Sequence, residues 1–267
     1  MKQILAFSLL FFLTGILING QQKLASSVYD WEKVPVKKTS SGEMKEFFSN
    51  PTRSLELFEI KAITINPGKS VQKELVGQGT DELLIIKEGV ADIQINNEIK
   101  VFEEGSVAVA SSGDEVTLTN RQKSRMVYYS IHFRPYPADL KKLALKKISP
   151  VFVDWKSVEF KPAANGGRRN IMQQKTSDLE ELEIHVTTLM EGLASHSGHT
   201  HTDEEIILVR YGTVEMTIAG AHAEVGPGSV IFVTNDDNHG LINAGKGKCE
   251  YYAFRWLTEP PVQKQVK

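Results

Sequence analysis

The chain repeats itself, and that repeat limits what it can fold into more than any other feature. At an offset of 123 residues, Glu82 falls on Glu205, Gly89 on Gly212, Asn120 on Asn243 and Tyr128-Tyr129 on Tyr251-Tyr252. Gly105-Ser106-Val107 likewise falls on Gly228-Ser229-Val230. One residue of slippage upstream pairs Asp30-Trp31 with Asp154-Trp155, Glu59-Ile60 with Glu183-Ile184 and Gly68 with Gly192. Self-similarity over so much of the sequence means two copies of one domain. The copies run over 28–134 and 150–257, and each, at roughly 105 residues, is long enough to enclose its own core.

Within each copy the pattern is one of short strands between turns. Segments 83–87, 90–95, 206–210 and 214–218 are rich in branched residues, and Asn96-Asn97 and Ala219-Gly220 supply turns after the second member of each pair. Many short antiparallel strands, twice over, predict an all-β protein of two tandem jelly-roll barrels. Between them, 135–149 reads as a short helical linker: Leu140, Leu143, Ala144 and Ile148 share one side and lysines surround them. The tail 258–267 is polar after two prolines and reads as loosely ordered.

The N-terminus, Met1-Lys2-Gln3 followed by an apolar run to Ile18 and then Asn19-Gly20-Gln21, reads as a cleaved signal peptide over 1–20. That predicts a periplasmic or secreted protein with no membrane attachment once the signal is removed. Cys249 is the single cysteine, so no intrachain disulfide forms. With 31 basic residues against 33 acidic and no basic run, nothing points to nucleic acid as a partner. A small-molecule ligand is expected, and a homodimer is compatible with the sequence.

The chemistry concentrates in the second copy. His199-Thr200-His201 is followed by Glu205 and Gly212, and His239 by Asn243. Residues two apart on a strand share a face, so His199 and His201 project together, with Glu205 in the same alternation and His239 arriving from a neighbouring strand. Three imidazoles and one carboxylate suit a divalent metal, and the donor set does not separate Mn, Fe, Zn, Ni or Cu. In the first copy the 123-residue offset puts Val76, Gln78 and Val116 where the histidines stand, and only Glu82 survives. One divalent ion per chain is therefore expected, with the first copy free of metal.

These spacings resemble the two signature motifs of the cupin superfamily. Gly192, His199, His201, Glu205 and Gly212 follow the first motif, although Gly192 stands one residue further from His199 than is usual. Gly228, His239 and Asn243 follow the second, with Thr234 and Asp236 in place of its proline and second glycine. The resemblance implies a bicupin: two cupin-type double-stranded β-helix barrels with a metal in the C-terminal one.

Further residues are candidates for the site. His196 and His185 flank the ligands as potential proton carriers. Arg168 and Arg169 follow Gly166-Gly167, and a guanidinium there would suit a carboxylate or sugar acid. Tyr252 and Arg255 are candidates for lining a cavity. The expected function is that of an exported metal-dependent enzyme on a small oxygen-rich substrate, a hydroxy acid, sugar or sugar acid. Lewis-acid and oxygenase chemistry are both open, so isomerase, lyase, hydrolase and dioxygenase are not separated. One alternative is a non-catalytic, metal-anchored binding or sensing protein. Another is suggested by layout: the (S)-ureidoglycine aminohydrolases resemble this chain in having an altered first half, but their Glu-x-His-x3-His motif differs from the one here.

Overall fold

The computed structural model describes residues 17–18, 21–137 and 147–259. Most of the segment read as a signal, residues 138–146 of the expected helical linker and the end of the tail lie outside them. Strand is the dominant structure of the described residues, in two large and two small antiparallel sheets besides one short ribbon. In the first copy a seven-stranded sheet has Asp81–Glu88 and Met126–Pro135 near its centre. A four-stranded sheet, Glu98–Glu103, Val90–Ile95, Glu115–Thr119 and Ser70–Leu75, closes that barrel. In the second copy Glu181–Leu189, Cys249–Leu257 and Glu205–Tyr211 lie side by side in the larger sheet, and Ala221–Val225, Val214–Ile218 and His239–Asn243 make the smaller one. This is the expected double jelly roll. Its hairpins turn where foreseen: Asn96 (φ 55°), Ala219 (φ 48°) and Gly220 (φ 84°) take the left-handed conformations that tight hairpins need.

The copies are interlocked by an exchange of strands. Ser27–Tyr29 pairs with Val230–Val233 in the second copy's sheet, and Val151–Val153 pairs with Val107–Ser111 in the first. Each sequence repeat thus sends its leading strand to the other barrel. The two large sheets share one core, in which Phe58 packs against Phe133, Phe232 and Trp256 at ring-centroid distances of 5.2, 6.0 and 4.7 Å. Burial of that many rings is the main force joining the barrels.

Polar contacts across the interface come in repeat-related pairs. The Tyr129 hydroxyl donates to the Gly228 carbonyl at 3.0 Å, and Tyr252 donates to the Gly105 carbonyl at 2.9 Å. Gly105 and Gly228 have φ of +96° and +93°, and a Cβ at either would lie 2.5 or 2.6 Å from the indole of Trp155 or Trp31. Glycine is required at both places by backbone and by space. Lys87 Nζ sits over Trp31 at 4.6 Å, as the Arg210 guanidinium sits over Trp155 at 4.1 Å. The barrels are therefore related by an approximate two-fold axis. Among the described residues no helix is long and apolar enough to cross a membrane.

Candidate metal centre

Three short stretches of the second barrel bring the imidazoles together. His199 lies on a segment that exchanges backbone hydrogen bonds with His239 in both directions at 3.0 Å, which fixes the two side by side. The nitrogens of His199, His201 and His239 lie within 4.8 Å of one another. Glu205, at the start of its strand, places Oε2 3.5 Å from His201 Nε2 and 3.3 Å from His239 Nε2. The other ring nitrogens are committed. His201 Nδ1 donates to the Asp203 carbonyl at 2.8 Å and His239 Nδ1 to the Asp237 carbonyl at 2.9 Å. Each imidazole, when neutral, is thereby held as the tautomer whose Nε2 lone pair faces the cluster.

The electrostatics agree with the geometry. Burial alone would raise the Glu205 carboxyl, but the facing imidazoles of His201 and His239 outweigh it and bring it down to about 2. His199 is lowered, by burial first and then by the surrounding imidazoles, and His201 is raised by its contact with Glu205. His199 Nδ1 and His239 Nε2 are buried with no hydrogen-bond partner. Orphaned ring nitrogens beside an ionised carboxylate are what a cation-binding set of residues shows without its ion, so a divalent metal fits this chain's donors.

Residues 185–255 match the cupin domain family. The second copy thus carries a cupin domain. Solved structures agree on the fold over almost the full length. A protein described as glyoxylate-induced from Pseudomonas aeruginosa superposes with a TM-score of 0.71 at 12% identity, covering 96% of each chain. Protein Ylba from E. coli gives 0.70 at 14% identity, over 91% of this chain and 96% of its own. An oxalate decarboxylase from Lactobacillus farciminis, in a formate complex, gives 0.68 at 10% identity, over 88% and 87%. Identities this low show a shared architecture only. No curated protein matches the chain in sequence.

A cavity of about 260 Å³ in this cupin barrel reaches Glu205 and His239, and alternate strand residues line it: His185 and Thr187, Tyr251 and Ala253, Glu205 and Ile207. His185 is half-buried, and its Nδ1 has no hydrogen-bond partner. Burial, and then the Arg168 charge, push its imidazole down to about 4, so it is a neutral base at ordinary pH. His196 lines the outer part of the cavity with its ring 4.1 Å from that of His199. Arg168 also lines it, steadied by Asn170 at 2.7 Å and by Glu183 at 2.8 Å. Arg255 lies outside the lining. It binds the other oxygen of Glu183 at 2.7 Å and Asp203 at 3.1 Å, and so braces the loop after His201.

Two of the sequence candidates are turned away from the cavity. Arg169 stacks on Trp155 and Phe160 and donates to the Val158 carbonyl. Tyr252 is spent on the interface contact with Gly105. Each neighbours a residue that does line the cavity, Arg168 and Tyr251, because consecutive strand residues face opposite sides. Thr187 was not singled out from sequence, although it shares the alternation of His185.

The first barrel corrects one detail of the repeat. Val116 pairs with Glu74 across the small sheet, as His239 pairs with His199, and Gly113 N–H donates to Val76 O as Asp236 N–H does to His201 O. Glu74 and Val76 are thus the counterparts of His199 and His201, and Gln78 belongs to the exposed turn that follows. Glu82 still takes the place of Glu205, but Ser130 donates to it at 2.6 Å and His132 Nε2 lies 3.4 Å away.

Proposed function

We propose that the second barrel holds one divalent metal through His199, His201, His239 and Glu205, and that an exported protein uses it to act on a small oxygen-rich molecule. The convergence of three imidazole nitrogens within 4.8 Å at one end of a small cavity carries this reading. Bound there, the metal would supply Lewis-acid polarisation of a ligand oxygen. The chain's own residues would do the rest. Arg168, at the cavity wall, offers donors to a carboxylate. His185, which lines the cavity and is neutral at ordinary pH, would be the group to receive a proton from a ligand there. Ile207, Met216 and Leu241 exclude water from the opposite side. A small hydroxy or keto acid fits this combination best, and structural likeness to an oxalate decarboxylase is in keeping with a small carboxylate.

The test combines elemental analysis with ligand panels. Protein purified from its own host should carry one divalent ion per chain. His199→Ala, His201→Ala and His239→Ala should each lose it, while His196→Ala should keep it. Loading with small hydroxy and keto acids should then raise the melting temperature of the metal-bound protein, and Arg168→Ala should cancel that rise. Two ions per chain, or occupancy unchanged in His239→Ala, would overturn the site. Ligand binding without turnover would instead favour a metal-anchored binding protein.

A further inference from the structure

We propose that the metal-free first half is a positioning element for the metal centre, acting through Thr52 and Ser26 on the backbone that carries Glu205 and His239. The inference rests on the metal reading above. Glu204 immediately precedes the strand that Glu205 opens, and the two carboxylates go to opposite sides. Glu205 turns to the histidines, while Glu204 is buried against the turn at 52–54 of the first half. There its carboxylate accepts from Thr52 Oγ1 at 2.7 Å, from Arg53 N–H at 2.9 Å, from Ser54 N–H at 3.2 Å and from the Ser54 hydroxyl. Four donors on one buried carboxylate leave the backbone at 204 little freedom, and with it the origin of the Glu205 side chain.

The other ligand segment is held from the same side. Ser26 Oγ donates to Asp237 Oδ2 at 2.6 Å and accepts from Thr234 N–H at 2.9 Å. The carbonyl of that same Asp237 takes the Nδ1 proton of His239. Asp236 donates its N–H to the His201 carbonyl at 2.8 Å, and its carboxylate lies 3.7 Å from the Arg53 guanidinium. Three of the four ligands are thus within two residues, or one hydrogen bond, of a contact made by residues 26–54. Groups that orient ligands govern metal affinity almost as strongly as the ligands do.

The two-fold relation supplies a control. Thr176 makes the mirror contact with Asp81, and Asp178 N–H donates to the same carboxylate at 3.0 Å. Asp81 precedes Glu82, which belongs to the barrel without the histidine cluster. Thr52→Val and Thr176→Val therefore remove the same bond from the same kind of interface, but only the first is next to a metal ligand. The full chain is stripped with chelator and titrated with Co²⁺, reading both affinity and the visible d–d spectrum. Thr52→Val should weaken Co²⁺ about tenfold and shift the spectrum, Thr52→Ser should restore both, and Thr176→Val should match wild type. Ser26→Ala, a change to a half-exposed strap, should give a smaller shift in the same direction and serves if Thr52→Val does not fold. Equal behaviour of Thr52→Val and Thr176→Val, with Ser26→Ala at wild type, overturns the positioning role. Failure of the wild-type chain to bind Co²⁺ overturns the metal reading itself.

Discussion

The two barrels share a frame and differ in how each satisfies one buried carboxylate. In the second, Glu205 faces imidazoles whose remaining nitrogens are tied to carbonyls, so its charge and theirs converge on a point suited to a cation. In the first, Glu82 has Ser130 and His132 instead, and His132 Nδ1 lies 3.1 Å from Glu59. Burial opposes charge on this imidazole, but its hydrogen bonds to Glu59 and Glu82 lift it to about 9, and Glu59 falls to about 2 against the same opposition. An imidazolium held between two carboxylates has taken over the role of a bound cation. His132 occupies the repeat position of Arg255, and Glu59 that of Glu183, so the swap used side chains already at the barrel mouth. The positive charge beside the buried carboxylate of the first barrel thus comes from a side chain.

Restoring the lost site is the most drastic way to break the comparison. Glu74→His, Val76→His and Val116→His, with His132→Arg to release Glu82, should raise the metal content from one ion per chain to two. In chelator the variant should be less stable by roughly 2–4 kcal/mol, since packed valines give way to unpaired imidazoles. Added metal should recover part of that loss by binding only the folded form. A folded variant that still binds one ion would mean that the barrels differ in backbone geometry as well as in side chains. The same changes made at Gln78 in place of Glu74 should fail, because Gln78 is in the exposed turn.

That distinction marks where the sequence could be read and where it could not. The double barrel and the clustering of the three histidines were legible because they depend on local signals: turn glycines, branched runs, and histidines two apart in the chain. The register of Glu74 against Val116 was not, since it depends on a bulge between Val116 and Leu118 and on the length of a loop that carries no motif. The exchange of Ser27–Tyr29 and Val151–Val153 between barrels is a pairing of distant segments, which strand propensity does not encode. Arg169 and Tyr252 each missed the cavity by one residue, and one residue is the whole difference between the faces of a strand.

A gentler change tests the replacement cation. His132 moves from 6.5 to about 9 on folding, so the stability that it confers is complete below about pH 6.5 and is lost as pH rises through 9. Arg255, at the same place in the second barrel, does not titrate in that range. Melting of the wild type should therefore fall between pH 6.5 and 9.5 by the equivalent of about 1–3 kcal/mol from this source, allowing for its partial exposure. His132→Arg should flatten that part of the curve. If the variant's alkaline loss equals that of the wild type, His132 does not carry the charge assigned to it.

The smallest expected effect separates the two interface latches. Glu204 is met by Ser54, whereas the mirror carboxylate Asp81 is met by Asp178, so one latch holds a single acid and the other holds two. Burial, and then the negative charge of Asp81, raise Asp178 to about 7, and its Oδ2 is buried without a partner. For an acid whose folded value lies above its ordinary 3.8, the native state holds the proton more tightly. Its cost to stability is absent below about pH 4, grows as pH rises towards 7 and is complete above it. Asp178→Ser, which copies the other latch, should raise the melting temperature by about 2–4 °C at pH 8 and leave it unchanged at pH 4. Ser54→Asp should do the reverse, bringing to the Glu204 latch a loss that appears only as the pH is raised. A gain in Asp178→Ser of equal size at both pH values would assign the effect to packing and remove the charge-based distinction between the latches.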